Sequence, residues 1–367
     1  MSKIPVGVLG ATGMVGQNYI SLLNNHPWFQ VAYIAASARS AGRTYEQAVK
    51  GRWHLRRGYN AETGALIVQD ANDVAKAGEA AAKGGLAFVF SALEMDKDEI
   101  LKLEDSYAAA GIPVVSNASA NRWTADVPML IAEINPHHAD IIPLQQKARG
   151  WKKGFIAVKP NCSIQSYMTP IWALMQKGYE IKRMVVNTMQ AVSGAGYPGV
   201  SSLDMIDNIV PYIGGEEEKS ELEPLKILGQ IKDGKIEQAK EPVISAHCNR
   251  VPVTDGHTAT VSLEFGAKKP SLDEITAIWR NFRAAPQELG LPMAPDEPIV
   301  VRNEQNRPQP SKDRDAHKAM AVTVGRLRPC PVFDVRFAGL SHNTVRGAAG
   351  GGILNAELLK AKGYLGL

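Results

Sequence analysis

Gly7-Val-Leu-Gly10-Ala-Thr-Gly13-Met-Val-Gly16 constrains the fold most, because it lies between an apolar strand pattern and an amphipathic helix pattern. Residues 5–9 read as a buried strand. Residues 14–24 read as a helix, with Tyr19, Leu22 and Leu23 at helical spacing. Glycines at that junction let backbone N–H groups approach a pyrophosphate, and the helix start adds the positive end of its dipole. The pattern places a dinucleotide phosphate over Gly10, Thr12, Gly13, Met14 and Val15.

The strand–helix alternation continues. Residues 31–35, 86–90 and 113–115 read as further strands, with a helical pattern over 97–110. A run of this kind predicts an α/β fold with a Rossmann-type, doubly wound parallel sheet. After Pro160 the texture changes to longer alternating strands at 184–191, 243–253, 258–265, 320–327 and 332–337, with a helical stretch at 271–289. This α+β character suits one large mixed, mostly antiparallel sheet with helices on one face. Residues 344–362 return to a helical pattern, and 230–241 read as a polar surface excursion. The expected division is a cofactor-binding domain over 1–159, completed by a C-terminal helix within 343–367, and a catalytic and dimerisation domain over 160–342.

Two domains also suit the 367-residue length. No apolar run approaches the roughly 20 residues that cross a bilayer, and the N-terminus carries no charged-then-apolar signal pattern. A cytoplasmic compartment is expected, with no membrane partner. The net charge of +4 is modest and the basic residues are scattered, so no nucleic-acid partner is expected. The densest basic cluster, Arg52 to Arg57 with Trp53 and His54, reads as a surface loop, an oligomer contact or an adenosine-side lid. Three cysteines, Cys162, Cys248 and Cys330, cannot all pair, which argues against a disulfide framework and against a cysteine-built metal site.

Cofactor type is read after the second strand. NAD sites place a carboxylate there for the ribose hydroxyls. This chain has Ala36-Ser37-Ala38-Arg39-Ser40, whose hydroxyls and guanidinium suit a 2′-phosphate, so NADP(H) is the expected cofactor.

Lys159-Pro160-Asn161-Cys162-Ser163 precedes an apolar helical pattern over 164–175. Cys162 is expected at a helix start, where the dipole would lower its pKa; the alternative is a buried structural cysteine. Downstream, Cys248-Asn-Arg250-Val-Pro-Val-Thr-Asp-Gly256-His257 turns sharply at Thr-Asp-Gly, so Arg250 and His257 can face one cleft. A thiol nucleophile needs a proton acceptor, and arginine clamps carboxylates. Gln190-Ala-Val-Ser193-Gly194-Ala-Gly196 ends another strand in small residues, as if a flat ring lay on the backbone. Gly214-Gly-Glu216-Glu-Glu-Lys219 by itself reads as a solvated helix start, and Ser341-His-Asn343 opens the last helix.

Together with Ser91-Ala-Leu and Ser116-Asn-Ala-Ser-Ala-Asn-Arg122, these motifs resemble, in order and nearly end to end, the aspartate-semialdehyde dehydrogenase family in its archaeal and fungal branch. The resemblance implies Cys162 as nucleophile and His257 as acid/base. It implies Arg250 on the substrate carboxylate, Glu216 on its ammonium, Arg122 and Lys219 on the phosphate, and Gln190 on the carbonyl. Ser193, Gly194 and Asn343 would line the nicotinamide end, Ser91 would also contact the cofactor, and Ser37, Arg39 and Ser40 would hold the 2′-phosphate. It further implies a homodimer or homotetramer acting on a small acyl phosphate of aspartate, with NADPH as reductant. An acyl-CoA reductase on the same scaffold, of the malonyl-CoA reductase type, and a non-catalytic NADP sensor are the alternatives.

Overall fold

The computed structural model describes residues 3–366. Strand β1 (Ile4–Leu9) forms the centre of a parallel six-stranded sheet with β2 (Phe29–Ala36), β3 (Gln69–Asp70), β4 (Phe88–Ser91), β5 (Val114–Ser116) and β6 (Ile156–Val158), in the order β3-β2-β1-β4-β5-β6. That order reverses direction at β1 and β4, which puts a crevice beyond their carboxyl ends. Strand β1 is apolar on both sides, with Val6, Val8 and Leu9 fully buried, because helices cover both faces of the sheet. The Met14–Leu23 helix lies on one face beside the C-terminal Gly350–Ala361 helix. Their approach is close: a Cβ on Gly352 would come within 2.0 Å of the Tyr19 hydroxyl. Glu357 on that last helix pairs with His26 Nε2 at 2.7 Å.

The second sheet contains β7 (Ile181–Gln190), β10 (Val243–Arg250), β11 (His257–Phe265), β12 (Ile299–Val301), β13 (Val322–Pro329) and β14 (Val335–Ser341), with β8 (Gln230–Lys232) and β9 (Lys235–Glu237) forming a separate hairpin. Its order is β10-β7-β11-β14-β13-β12; the three central pairings are antiparallel and the two outer ones parallel, so the sheet is mixed, as expected. Alternate residues of β7 and β11 (Met184, Val186, Val261, Leu263) bury against the Met168–Met175 and Leu272–Arg280 helices, where Trp279 packs edge-on to Phe337. The opposite face is open and carries Val185 and Val243.

Several local expectations differ from the structure. The helical stretch over 271–289 is two helices, Leu272–Arg280 and Ala285–Glu288, because Pro286 has no N–H to donate and fits only the first turn of a new helix. The 230–241 stretch is not wholly a surface excursion: Ile236 is buried, and its N–H bonds the Ala125 carbonyl. The last helical pattern opens as a π-turn, Val345–Ala349, in which Ala348 leaves helical geometry. Strands β3 and β6 and the Val74–Ala82 helix are elements beyond those expected from the sequence.

Candidate active site

The carboxyl end of the first sheet faces the second through a cleft of about 410 Å³. Its walls include Gly13, Met14 and Val15 from the glycine loop, Arg122, Asn161, Cys162, the 193–196 turn, Glu216, Lys219 and Asn343.

The loop end is built from backbone. Gly10 has φ +74°, and a Cβ there would sit 2.3 Å from the Ala92 carbonyl oxygen, so no side chain is tolerated. Gly13 caps the Met14–Leu23 helix without any side-chain hydrogen bond, leaving the first N–H groups of the helix available to an anion. Gln17 braces the loop by donating to the Thr12 carbonyl at 3.0 Å. After β2, Ser37 and Arg39 are exposed and Ser40 is buried in the turn, where its N–H bonds the Ser37 carbonyl. Arg39 has no acidic partner among the described residues. This cradle fits a dinucleotide with a phosphorylated ribose. Ser91, by contrast, is fully buried at the end of β4 and does not line the cleft. The basic 52–57 segment bridges the two halves. The Gln17 side chain bonds the Arg52 carbonyl and the His54 N–H, and His54 stacks on Tyr197 with ring centroids 3.8 Å apart.

The other end is built from charged side chains. Cys162 follows β6 and precedes a short 3-10 turn, Ser163–Ser166. Asn161 fixes that turn: its Oδ1 accepts from the Ser163 N–H and hydroxyl, each at 2.7 Å. Its Nδ2 donates to both oxygens of Glu216 at 2.9 Å, and its N–H donates to Glu223 Oε2 at 2.5 Å. Glu223 also accepts from Arg122 Nη1 at 2.9 Å. Glu216 further accepts from Lys219 at 2.8 Å and from Gln190 at 3.2 Å. Burial opposes its charge, but Lys219, Asn161 and Gln190 together hold its carboxyl below the usual range.

These contacts share one helix, Glu216–Ile227, whose buried face bears Glu216, Ser220, Glu223 and Lys226 at helical spacing. Lys226 Nζ donates to the carbonyls of Arg122 and Thr124. The solvated helix start read from the sequence is therefore the polar floor of the cleft. Glu223 and Lys226 escape the sequence reading because polar residues on a helix are read as facing water, and Asn161 because its motif marks only a turn before Cys162. Their recurrence at 216, 220, 223 and 226, with Pro224 among them, was the available signal.

His257 opens β11 and is fully buried. Its Nε2 lies 3.4 Å from Cys162 Sγ, and its Nδ1 accepts the Ala191 N–H at 3.0 Å. With Nδ1 filled as an acceptor, the proton of the neutral ring belongs on Nε2, pointing at the sulfur. Burial, and then Arg250, push its pKa down to about 3. The thiol also departs from expectation. Burial and the Glu216 carboxylate push the Cys162 pKa up, against Lys159, Arg122 and Arg250, and these outweigh any benefit of a one-turn helix start.

Arg250 ends β10, nearly buried, and donates Nη1 to the Ala191 carbonyl at 2.8 Å with no acidic partner among the described residues. The Ser193–Gly194 turn lies over it; a Cβ on Gly194 would come within 2.9 Å of Arg250 Nη1 and 3.1 Å of the His257 ring. Asn343 ties this turn down, donating to the Ser193 hydroxyl and accepting from the Gly256 N–H, both at 2.8 Å. The sequence-derived residues Cys162, His257, Arg122, Gln190, Glu216, Lys219, Arg250, Ser193, Gly194 and Asn343 thus meet around one cleft, with Gln190, Arg250 and His257 behind its wall.

Comparison with known proteins agrees with this geometry. The NAD-binding domain family of semialdehyde dehydrogenases matches residues 5–142, and the corresponding dimerisation domain family matches 171–346. The chain is 47% identical to the aspartate-semialdehyde dehydrogenase of Methanothermobacter thermautotrophicus, covering 97% of this chain and 99% of that one. The chain belongs to the aspartate-semialdehyde dehydrogenase family. A fungal member from Aspergillus fumigatus is 44% identical over 99% of both chains. The crystal structure of the Candida albicans member with NADP matches with a TM-score of 0.88 and 39% identity, covering 99% of this chain and 100% of that one. Archaeal and fungal members of the family are thus both similar to the chain at full length, as the form of its motifs implied.

Proposed function

We propose that the protein is an oxidoreductase that reduces the acyl phosphate of aspartate to its semialdehyde, releasing phosphate, with NADP(H) as cofactor. The observation that carries this reading is the meeting of Cys162 and His257 at 3.4 Å, across a cleft that also holds the glycine loop and the cations Arg122 and Lys219. The cofactor, bound over Gly10, Gly13, Met14 and Val15 with its 2′-phosphate near Ser37, Arg39 and Ser40, supplies the hydride.

The residues of the chain do the rest. Cys162 sulfur bonds to the β-carbonyl carbon, the carbon–oxygen bond to phosphate breaks, and the thiol proton leaves with the phosphate, whose departing dianion is met by Arg122 and Lys219. After reduction of the thioester carbon, the carbon–sulfur bond breaks, giving the aldehyde and regenerating the thiolate. Nε2–H of His257 faces the oxygen on which charge develops and stabilises it as a donor. Arg250, buried without an acid partner, keeps the guanidinium N–H groups not bonded to Ala191 for the substrate α-carboxylate. Glu216 offers negative charge for the ammonium group, and Gln190 sits beside it. The open face of the second sheet, with Val185 and Val243, and the exposed Leu203, Ile206 and Ile209 suit a second copy of this chain, as a homodimer or a pair of dimers. Light scattering at micromolar concentration tests that state; a mass of one chain would refute it. No helix among the described residues is long and apolar enough to cross a membrane. Three free thiols suit a reducing compartment such as the cytoplasm.

The deciding assay is NADP reduction with aspartate semialdehyde and phosphate, run beside CoA-dependent oxidation of malonate semialdehyde. Turnover is expected only in the first. Turnover only in the second would overturn the substrate assignment and leave the scaffold standing.

A further inference from the structure

Lys159 stands immediately after β6 and is 2% exposed. Its Nζ donates to the Pro160 carbonyl at 2.6 Å and to the Gly347 carbonyl, one on each side of the nucleophile turn. Gly347 abuts the nucleophile itself: a Cβ there would be 2.8 Å from Cys162 Cβ. No carboxylate lies within ion-pair distance of Lys159 among the described residues, whereas the neighbouring buried cations Arg122 and Arg346 pair with Glu223 and Glu133. An ammonium buried without an acid is costly unless another negative group balances it.

We propose that Lys159 is the counter-cation of the Cys162 thiolate, a positioning residue that ties the nucleophile turn to the 345–349 segment and balances the negative charge of the sulfur. This rests on Cys162 being the nucleophile.

The groups facing the sulfur leave Lys159 this role. His257 presents a donor from a neutral ring and brings no full charge. Arg122 is paired with Glu223, and Arg250 is reserved for a substrate carboxylate. Glu216 opposes the thiolate. Lys159 is held down to about 7 by burial and by Arg122, with Arg346 adding to this, and is drawn back up by Cys162 and Glu223. Charge on the nitrogen and charge on the sulfur therefore support each other.

The test is the pH dependence of Cys162 alkylation by iodoacetamide, followed by peptide mass spectrometry so that Cys248 and Cys330 are scored separately. Lys159→Gln keeps donors for the two carbonyls and removes the charge. Its alkylation midpoint should rise by about one pH unit, roughly tenfold slower modification at neutral pH. Lys159→Arg keeps the charge and should stay near the wild-type midpoint. A purely structural role would lower turnover in both variants without moving the midpoint, and a Lys159→Gln profile superimposed on wild type would overturn the proposal. If Lys159→Gln does not fold, 13Cε-lysine NMR of the wild-type enzyme decides. One lysine should titrate near neutral pH and shift its midpoint downward when Cys162 is capped as a neutral thioether; no lysine doing so would overturn the proposal. Full activity of the capped wild-type enzyme would instead sink the nucleophile reading, an outcome separate from either result.

Discussion

The two ends of the cleft solve the problem of binding an anionic molecule with different materials. At the glycine loop the positive character comes from peptide N–H groups and a helix start, with no charged side chain among Gly10 to Gly16. At Cys162 it comes from arginine and lysine side chains, buried or half-buried, each committed to a carboxylate or a carbonyl before any ligand arrives. Backbone donors cost little to keep ready and carry no proton to lose. Buried side-chain charges are costly and mutually dependent, but they can stabilise charge that appears and disappears during a reaction.

That contrast predicts a double dissociation, and it is the largest effect expected. Cys162→Ala should lower turnover by roughly 10³-fold or more while leaving NADPH affinity nearly unchanged. Gly10→Ala should do the reverse in kind. The added Cβ meets the Ala92 carbonyl at 2.3 Å in a left-handed backbone, so NADPH affinity should fall about tenfold or more. Fluorescence titration of NADPH alongside steady-state rates separates the two, and a Cys162→Ala protein that turns over would end the covalent mechanism.

Next in size is Glu223→Gln. One carboxylate holds both Arg122 and the Asn161 N–H, and a carboxamide can accept from only one of them at that spacing. Removing one partner of a buried ion pair costs on the order of 3 kcal/mol. The expected outcome is a lower melting temperature together with a fall in kcat, from loss of the Asn161 turn. Glu223→Asp, which keeps the charge, should recover part of both. A variant with unchanged kcat would show that the nucleophile turn holds itself.

A smaller effect is expected at the exposed phosphate end. Arg39→Glu places a carboxylate where a 2′-phosphate is proposed to bind. kcat/KM for NADPH should drop roughly tenfold to a hundredfold while that for NADH changes little. Equal losses with both cofactors would move the 2′-phosphate site elsewhere.

The same contrast governs what the amino-acid sequence made legible. The parallel sheet followed from apolar strands alternating with amphipathic helices, and the glycine loop from its position between the first of them. The second sheet was legible from the alternation in β7 and β11, one face of which packs on helices. The charged floor was legible in part: the resemblance placed Glu216 and Lys219 there, but not Glu223 or Lys226. A helix bearing Glu216, Ser220, Glu223 and Lys226 on one face has the period of an amphipathic helix, and the fold turns that polar side inward. Ser91 went the other way: a hydroxyl assigned by its motif to the cofactor is fully buried at the end of β4. The protonation of the pair was also out of reach. The Ala191 N–H that fills His257 Nδ1 is a backbone group, and nothing in the order of side chains announces it.

The buried charged end should also be the one that acid attacks first. His257 is pushed down to about 3 and His138, which contacts Asn135 and the Gly229 carbonyl, to about 4, in both cases chiefly by burial. In the unfolded chain each would take a proton near the ordinary histidine value of about 6.5. Below that value, and above the folded ones, the unfolded state binds more protons, so stability falls as pH falls. Each histidine can remove up to about 1.4 kcal/mol per pH unit in that window, and neither contributes a slope above it. Urea unfolding between about pH 7 and pH 5 should therefore show a falling midpoint in the wild type and a shallower fall in His138→Gln, which removes one of the two titrations outside the cleft. His257→Gln should flatten the curve similarly while also impairing turnover. Identical slopes in all three proteins would mean that the two rings are not held neutral by burial.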